Sequence, residues 1–494
     1  MSSLVIFVVT ILLLLAWKVR TIFSYWDDKG IPHHGFWQYM RVLYELFTKP
    51  LHVSDMEDYK KYGRLYGTFQ ETDPCLVVGE PDLLRDIYIK DFSSFVDRLG
   101  VFAGEPMWDN TLVMLSGDEW KSARAIFSAA FTASRLKAMV PKLVPVANRA
   151  ADVLVEHADE KKPVNLYKIF MTSTVDATAA VTFNADMDSF KDPDNPFIKN
   201  YFDSFSGDSA WKFMLHLKMP RLFKLLRLSP FNKKRLNDFS SFVTAVIEDR
   251  IRSTNKANDH VQILIDAMET EAASNEKEKS AASKKRVTIE DIVSHVFLLL
   301  VGANDTLSST LVFLFFMLTT HVEWEEKVMQ EIDRVVGKEE PTYEMLKSLE
   351  YLDAAINETL RMFTPSSFMA RVCSKKTELR GIPLNPGHVI NIPIQAIHMD
   401  PEFFEEPERF KPERFLADDK NSIRPFTFMP FGTGPRNCIA MRQAMLQLKI
   451  YVVCIYQKVK FERCNETIER IKLKPCSIGR ELQEPIKLQA VRRC

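Results

Sequence analysis

Only three glycines, Gly117, Gly207 and Gly302, occur between residues 117 and 302 of this 494-residue chain. Glycine supplies the left-handed backbone that tight turns need, and inside a helix it costs roughly 1 kcal/mol relative to alanine. A span this long and this poor in glycine is suited to long helices. The whole chain carries 16 glycines, about 3% where roughly 7% is usual, which excludes collagen-like, Gly-rich linker and turn-dense all-β folds. At 46% hydrophobic residues the chain is not disordered either. The fold class that remains is mainly α with small β-sheets. Strands are read in two places: residues 63–79 form a pair around a turn, and residues 378–394 form further strands punctuated by Gly and Pro.

Charge and cysteine usage narrow the function. Sixty-five Lys and Arg balance 65 Asp and Glu, which argues against a nucleic-acid binder. Cys75, Cys373, Cys438, Cys454, Cys464, Cys476 and Cys494 are odd in number and include no CxxC pair, so a reducing compartment is expected. The length alone suggests roughly three domains, but no linker divides the chain, and one large core accommodates it. No GxGxxG or Walker loop is present, so a nucleotide or flavin site is not encoded here.

Residues 4–17, LVIFVVTILLLLAW, are apolar apart from Thr10, and Lys18 and Arg20 follow them. A cleaved secretory peptide carries its positive charge before the apolar run and a small-residue site after it, the reverse of what stands here. Residues 1–22 therefore read as an uncleaved single N-terminal anchor, with residues 23–494 on the cytosolic side by the positive-inside rule. The Asn-x-Ser/Thr sequons at Asn304, Asn357 and Asn465 are then chance matches. A second apolar block, residues 296–318, carries Asn304, Asp305 and Thr306 at its centre. An ionisable group there is costly in lipid, so this block reads as a helix buried in protein around a polar site. Thr288 and Asp291 form the capping pattern that starts it, and the polar residues 269–287 before it read as a flexible surface connection. Residues 210–228 mix Lys212, Lys218, Arg221, Lys224 and Arg227 with apolar side chains. They fit a membrane-surface stretch or an ordinary surface helix pair broken at Pro220 equally well.

The stretch with chemical content is residues 428–442, FMPFGTGPRNCIAMR. Cys438 follows Gly432 and Gly434 and precedes a segment of helical periodicity, so its thiol stands at a helix start, where N–H groups and the positive helix end favour thiolate. From Phe431 to Cys438 this stretch resembles the haem-binding loop of the cytochrome P-450 superfamily, and it is similar to that of the microsomal drug- and steroid-oxidising branch. The resemblance extends from about residue 30 nearly to the end and implies a single large haem domain with a long central helix.

The resemblance also implies a set of roles. Cys438 becomes the axial thiolate of haem b, pushing electron density toward the iron and favouring O–O cleavage. Gly432 lets the backbone approach the porphyrin, Phe431 shields the thiolate, and Arg436 pairs as a forked donor with a haem propionate. Trp120 and Arg124 match the WxxxR helix whose side chains bond a propionate, Arg371 matches a further propionate ligand, and Arg98 is a looser match. Residues 302–306 resemble the acid-alcohol pattern: Gly302 and Ala303 leave room beside the iron, and Asp305 and Thr306 are the catalytic pair that delivers protons. Glu358 and Arg361 in NETLR, with Arg414, match the Glu/Arg/Arg network and take a folding role.

Three positions depart from the family pattern. Ala440 stands where Gly is usual and crowds the porphyrin by one methyl while improving helix propensity. Ala303 and Leu307 replace residues that set oxygen-pocket hydration. After the anchor only Pro32 remains of the proline-rich hinge. His33, His34, His388 and His398 show no metal spacing and read as solvated or structural histidines.

The activity this implies is a monooxygenase: a lipophilic substrate and O2 react with two electrons and two protons to give hydroxylated product and water. The partners implied are an NADPH-dependent cytochrome reductase, a b-type cytochrome as a further donor, and the endoplasmic reticulum membrane, with no nucleic acid. Arg442 and Lys449 are candidate contacts for the electron donor. A haem-thiolate isomerase or dehydratase is the alternative that Asp305 and Thr306 speak against, and a haem sensor is the alternative that an open pocket beside Gly302 speaks against.

Overall fold

The apolar start forms one helix, Ser2–Phe23, with Leu4 to Lys18 all exposed. At about 1.5 Å per residue it reaches roughly 33 Å, enough for a hydrocarbon core of about 30 Å. The computed structural model describes residues 2–100, 104–204, 209–254, 256–277, 287–416, 422–475, 477 and 479–493. Phe23 ties the anchor to the body, its ring 4.6 Å from that of Phe69 and 5.5 Å from that of Phe36.

Both strand readings hold, and packing joins them. Strands β1 (Leu65–Gln70) and β2 (Asp73–Val78) are an antiparallel hairpin with Glu71 at φ 54° in the turn. A short strand β3 (Pro163–Asn165) follows, then β4 (Met369–Val372), β5 (Thr377–Leu379), β6 (Ile382–Leu384) and β7 (Val389–Ile392). The chain closes with β8 (Val459–Glu462) and β9 (Lys487–Arg492). The main sheet runs β1-β2-β7-β4, with β2 parallel to β7 and Cys75 opposite Val389. Placing β4 at its edge is what carries Arg371 into the site described below.

Helix Ile289–Thr320 is the central element, 32 residues long. Its start is closed by a reciprocal cap: the Asp291 N–H donates to Thr288 Oγ1 at 3.2 Å and the Thr288 N–H donates to the Asp291 carboxylate at 3.0 Å. Apolar residues all round it are buried, as expected for a helix inside protein rather than lipid. Asn304, wholly buried, accepts a hydrogen bond from Thr174 of helix Leu166–Phe183, so a side-chain partner meets one of the polar groups at its centre.

One reading needs amendment, and the helix pair broken at Pro220, one of two read for residues 210–228, is found. Helix His260–Lys277 takes in the first part of the supposed flexible connection 269–287, while residues 278–286 lie outside the described residues. Residues 210–228 become two helices, Ser209–Lys218 and Pro220–Leu225, broken where proline opens the second. Arg221 anchors them to the hairpin turn, donating to Asp73 at 2.7 Å and Thr72 at 3.0 Å, while Trp211, Leu225 and Leu226 stay exposed.

Candidate active site

Cys438 sits two residues ahead of Ala440, the N-cap of helix Met441–Tyr456. Its N–H donates to the Phe431 carbonyl at 2.8 Å, closing the loop on itself. The turn needs glycine twice. Gly432 and Gly434 have φ of 69° and 72°; a Cβ on Gly432 would lie 2.9 Å from Met369 Cε, and one on Gly434 would lie 2.6 Å from the Tyr88 carbonyl oxygen. The expected thiolate preference is reversed in net: burial pushes the Cys438 thiol up, against the Ala440 N–H and the charges of Arg98 and Arg124. A thiolate here therefore needs a stronger positive partner, such as a metal ion, which deprotonates a coordinating thiol outright. Among the described residues no group of three or more His, Cys, Asp and Glu is placed to hold a metal ion.

A cavity of about 850 Å³ opens beside the thiol, lined by Arg98, Trp120, Ala303, Thr306, Phe431 and Cys438 among others. The arginines here form an unusual set: Arg98, Arg124 and Arg436 line the cavity, and Arg371, two residues along from the lining Met369, stands close enough to repel them. Arg371 is 1% exposed, its guanidinium 4.8 Å over the Tyr88 ring, and one terminal nitrogen donates to the Ala370 carbonyl while Nε and Nη2 have no protein partner. Arg436 is 2% exposed and stacks 4.7 Å over Trp120. Its terminal nitrogens are taken by the carbonyls of Val96, at 2.7 Å, and of Val113 and Leu115, so Nε alone lacks a partner. The forked pairing read from sequence is replaced by a single free N–H. Arg98 donates to the Arg436 carbonyl at 2.7 Å, and Arg124 donates twice to Asn437 at 3.0 Å. Burial, then the mutual repulsion of these guanidiniums, pushes Arg436 down to about 9 and Arg98 down to about 10. Asp97, 3.8 Å from Arg436, is the one carboxylate paired with the set among the described residues. Buried cations so poorly compensated fit a dianionic group laid into this cavity, as the two propionates of haem require. The residues present therefore fit the group that the cysteine loop implies.

Opposite lies the middle of the central helix. Gly302 and Ala303 border the cavity, and nothing lies within 4 Å of where a Gly302 Cβ would be. Thr306 donates its hydroxyl to the Gly302 carbonyl at 2.7 Å, which leaves its oxygen as an acceptor toward the cavity. Asp305 accepts from the Tyr167 hydroxyl at 2.9 Å; burial pushes its carboxyl up, partly offset by that hydrogen bond.

Glu358 and Arg361 on helix Glu350–Met362 pair as read, in two bonds of 2.8 and 2.9 Å, both wholly buried. Arg414 Nε stands 3.5 Å from the same carboxylate, and Arg361 also donates to the carbonyls of His398 and Pro407, each at 2.8 Å. Sequence reasoning missed what His398 does with this network. Its Nε2 accepts the Met429 N–H at 2.9 Å, so Nδ1 carries the proton that faces the Arg361 carbonyl at 3.2 Å. One imidazole thus links the Glu/Arg pair to the strand of chain entering the cysteine loop. His34 is likewise structural, 3.1 Å from Asp58.

Two further expectations change. Lys449 is not a docking charge: it is 8% exposed and bonds Asp353 at 3.0 Å and the Leu346 carbonyl at 3.2 Å. Arg442 remains exposed, at the edge of a second recess of about 400 Å³ below the loop. Ala440, with φ −93° and ψ 10°, caps the helix without being part of it, so the supposed gain in helix propensity does not apply, while its place on the cavity wall does.

Comparison with known proteins agrees with this geometry. The family model described as cytochrome P-450 matches residues 32–488. Cytochrome P-450 3A2 of Rattus norvegicus is 32% identical over 455 residues, covering 90% of this chain and 88% of that protein. Cytochrome P-450 3A7 of Homo sapiens is 31% identical over 434 residues, 87% of this chain and 85% of the relative. Cytochrome P-450 3A16 of Mus musculus is 32% identical over 462 residues, with 90% and 88% covered. The resemblance read from residues 428–442 to the microsomal drug- and steroid-oxidising branch stands with these matches. Identity of this order, held over nearly the full length of both partners in each pair, shows that the chain belongs to the cytochrome P-450 family and is one of its haem-thiolate monooxygenases.

Proposed function

We propose that the chain oxidises lipophilic small molecules at haem b ligated by Cys438, drawing electrons from an NADPH-dependent flavoprotein reductase, with a b-type cytochrome as a further donor. The observation that carries this reading is a pair of buried, under-partnered guanidiniums, Arg436 on the wall of the largely apolar cavity that Cys438 lines and Arg371 beside it. Haem bound there supplies the activation of dioxygen, one oxygen atom going to the substrate and the other, with two protons and two electrons, to water.

The chain's own residues have separate tasks. Arg371 Nε and Nη2 and Arg436 Nε donate to the propionates, and Trp120 lies under the Arg436 guanidinium. Arg124 acts on the same side through Asn437, the residue before the ligand. Gly432 and Phe431 hold the loop so that the thiol faces the cavity out of water. Ala303 gives the substrate room, Thr306 accepts a hydrogen bond at the reacting end, and Asp305 stores the proton to be delivered. Glu358, Arg361 and Arg414 keep the loop's approach in place.

The same reading sets the protein at the endoplasmic reticulum. Residues 1–22 anchor it and residues 23–494 form one catalytic domain on the cytosolic face, with exposed Trp211, Leu225 and Leu226 resting on the lipid surface. The electron donor docks on the face below the cysteine loop, where Arg442 is exposed.

Reduced-plus-CO difference spectroscopy of wild type and Cys438→Ser tests the centre of this reading. The expected result is a red-shifted thiolate-type band that the variant lacks; its absence from wild type would sink the reading. NADPH consumption with reductase and a lipophilic test substrate then separates oxygen insertion from an isomerase, a dehydratase or a sensor, none of which consumes NADPH.

A further inference from the structure

Several separate parts of the chain close on the Asp305 carboxyl. Tyr167, at the start of helix Leu166–Phe183, donates to Oδ1 at 2.9 Å. Gly479 of the C-terminal loop comes so near Oδ2 that a Cβ there would overlap it. Glu481, two residues on, adds a negative charge beside the carboxyl, and its own carboxylate lies 3.6 Å from Lys474 Nζ. Tyr201 of helix Pro196–Ser204 feels the Asp305 charge from another side. Asp305, Gly479, Glu481 and Lys474 all line the cavity, and Lys474 is exposed, so the cavity reaches the surface beside this carboxyl.

We infer that Tyr167 is the positioning residue of Asp305, and that the proton Asp305 gives up to the cavity is replaced from solvent between Lys474 and Glu481. The inference rests on the reading of Asp305 as the proton donor. In the delivery step the Asp305 O–H bond breaks, its proton passes toward the substrate side through water, and the electron pair stays on the carboxylate. Tyr167 keeps its hydrogen bond to that carboxylate throughout. A hydronium ion entering beside Lys474 then restores the O–H bond and leaves water. Burial, and next the Asp305 charge, push the Tyr167 phenol well up, so Tyr167 retains its own proton and serves as a fixed donor rather than a relay.

The two partners act on Asp305 with opposite sign. Tyr167→Phe removes a donor to the carboxylate and raises the pH at which Asp305 titrates, whereas Glu481→Gln removes a negative charge and lowers it.

The test uses the haem-loaded full chain. The Asp305 carboxyl band, identified by its loss in Asp305→Asn, is titrated by infrared difference spectroscopy. In parallel, the product-to-peroxide ratio is measured across pH with reductase, NADPH and a benzyl ether of a fluorescent phenol as probe. The expected result is an upward midpoint shift in Tyr167→Phe and a downward shift in Glu481→Gln, with the coupling profile moving alongside each. Midpoints that stay at the wild-type pH, or move in the same direction in both variants, overturn the inference. Should Tyr167→Phe fail to retain haem, Glu481→Gln on its partly exposed loop decides by its sign. An unchanged ratio in Asp305→Asn overturns the donor reading itself, and the inference with it; a fallen ratio with unmoved midpoints overturns the inference alone.

Discussion

Glu358 grips Arg361 with both carboxylate oxygens, at 2.8 and 2.9 Å, where neither side chain touches solvent. Breaking a buried pair leaves one charge without its counter-charge, a loss of about 3–5 kcal/mol. Glu358→Gln should therefore unfold well below wild type in a thermal melt. Because Arg361 also binds the His398 and Pro407 carbonyls, the variant should retain less haem per chain after purification. A melt within a degree or two of wild type would contradict this.

Arg371 behaves in the opposite sense before haem binds. Its guanidinium is buried with two unpartnered nitrogens, so Arg371→Leu removes an uncompensated charge. The haem-free chain should melt no lower than wild type, while haem dissociates faster from the loaded variant. Transfer of haem to a scavenging globin, followed optically, measures the second quantity. Equal transfer rates would exclude Arg371 as a propionate ligand.

Gly434→Ala should be destabilising by roughly 1–3 kcal/mol from backbone strain alone, since φ is 72° and the new Cβ would sit 2.6 Å from the Tyr88 carbonyl oxygen. The loop then has to shift against a backbone atom that cannot rotate away. Denaturant unfolding of the haem-free chain measures the cost, and a value near zero would show that the loop relaxes freely.

His398 is held neutral, burial pushing it down from 6.5 to about 3, followed by the Arg361 charge. The unfolded chain binds a proton at this residue near pH 6.5 and the folded chain does not until about pH 3. Stability from this site is therefore complete above the unfolded value and falls as pH drops through that window, by about 1.4 kcal/mol per pH unit. Buried His295, pushed down to about 3, adds a parallel slope. In His398→Asn the acid dependence of unfolding free energy should lose one proton's worth of slope between those limits; an unchanged slope would place the acid sensitivity elsewhere.

What the linear sequence disclosed was whatever lies close along the chain. The cysteine loop, the i, i+3 pair of Glu358 and Arg361, and the cap of Thr288 and Asp291 are local patterns, and each appears where it was read. Partners brought together by packing were silent. Tyr167 and Asp305 are 138 positions apart, and His398 joins Arg361 to Met429 through bonds that no periodicity encodes. Arg436 was read by its charge, yet its burial among the carbonyls of Val96, Val113 and Leu115 sets which nitrogen is left over. Lys449 did carry a signal that was passed over. It stands inside the run LQLKIYVVCIY, on a helix whose residues from Leu446 to Tyr456 are all buried, and a lysine there has to find an internal acid such as Asp353.

The reciprocal cap of Thr288 and Asp291 has a consequence for how this chain tolerates change. It satisfies backbone donors at the start of the central helix from within four residues, so the helix begins at the same place whatever chain precedes it. Insertions or deletions between Lys277 and Val287 then leave the start of the helix where the cap sets it. The angular setting of Ala303, Asp305 and Thr306 about the helix axis is counted from the cap, and it passes unchanged through such edits.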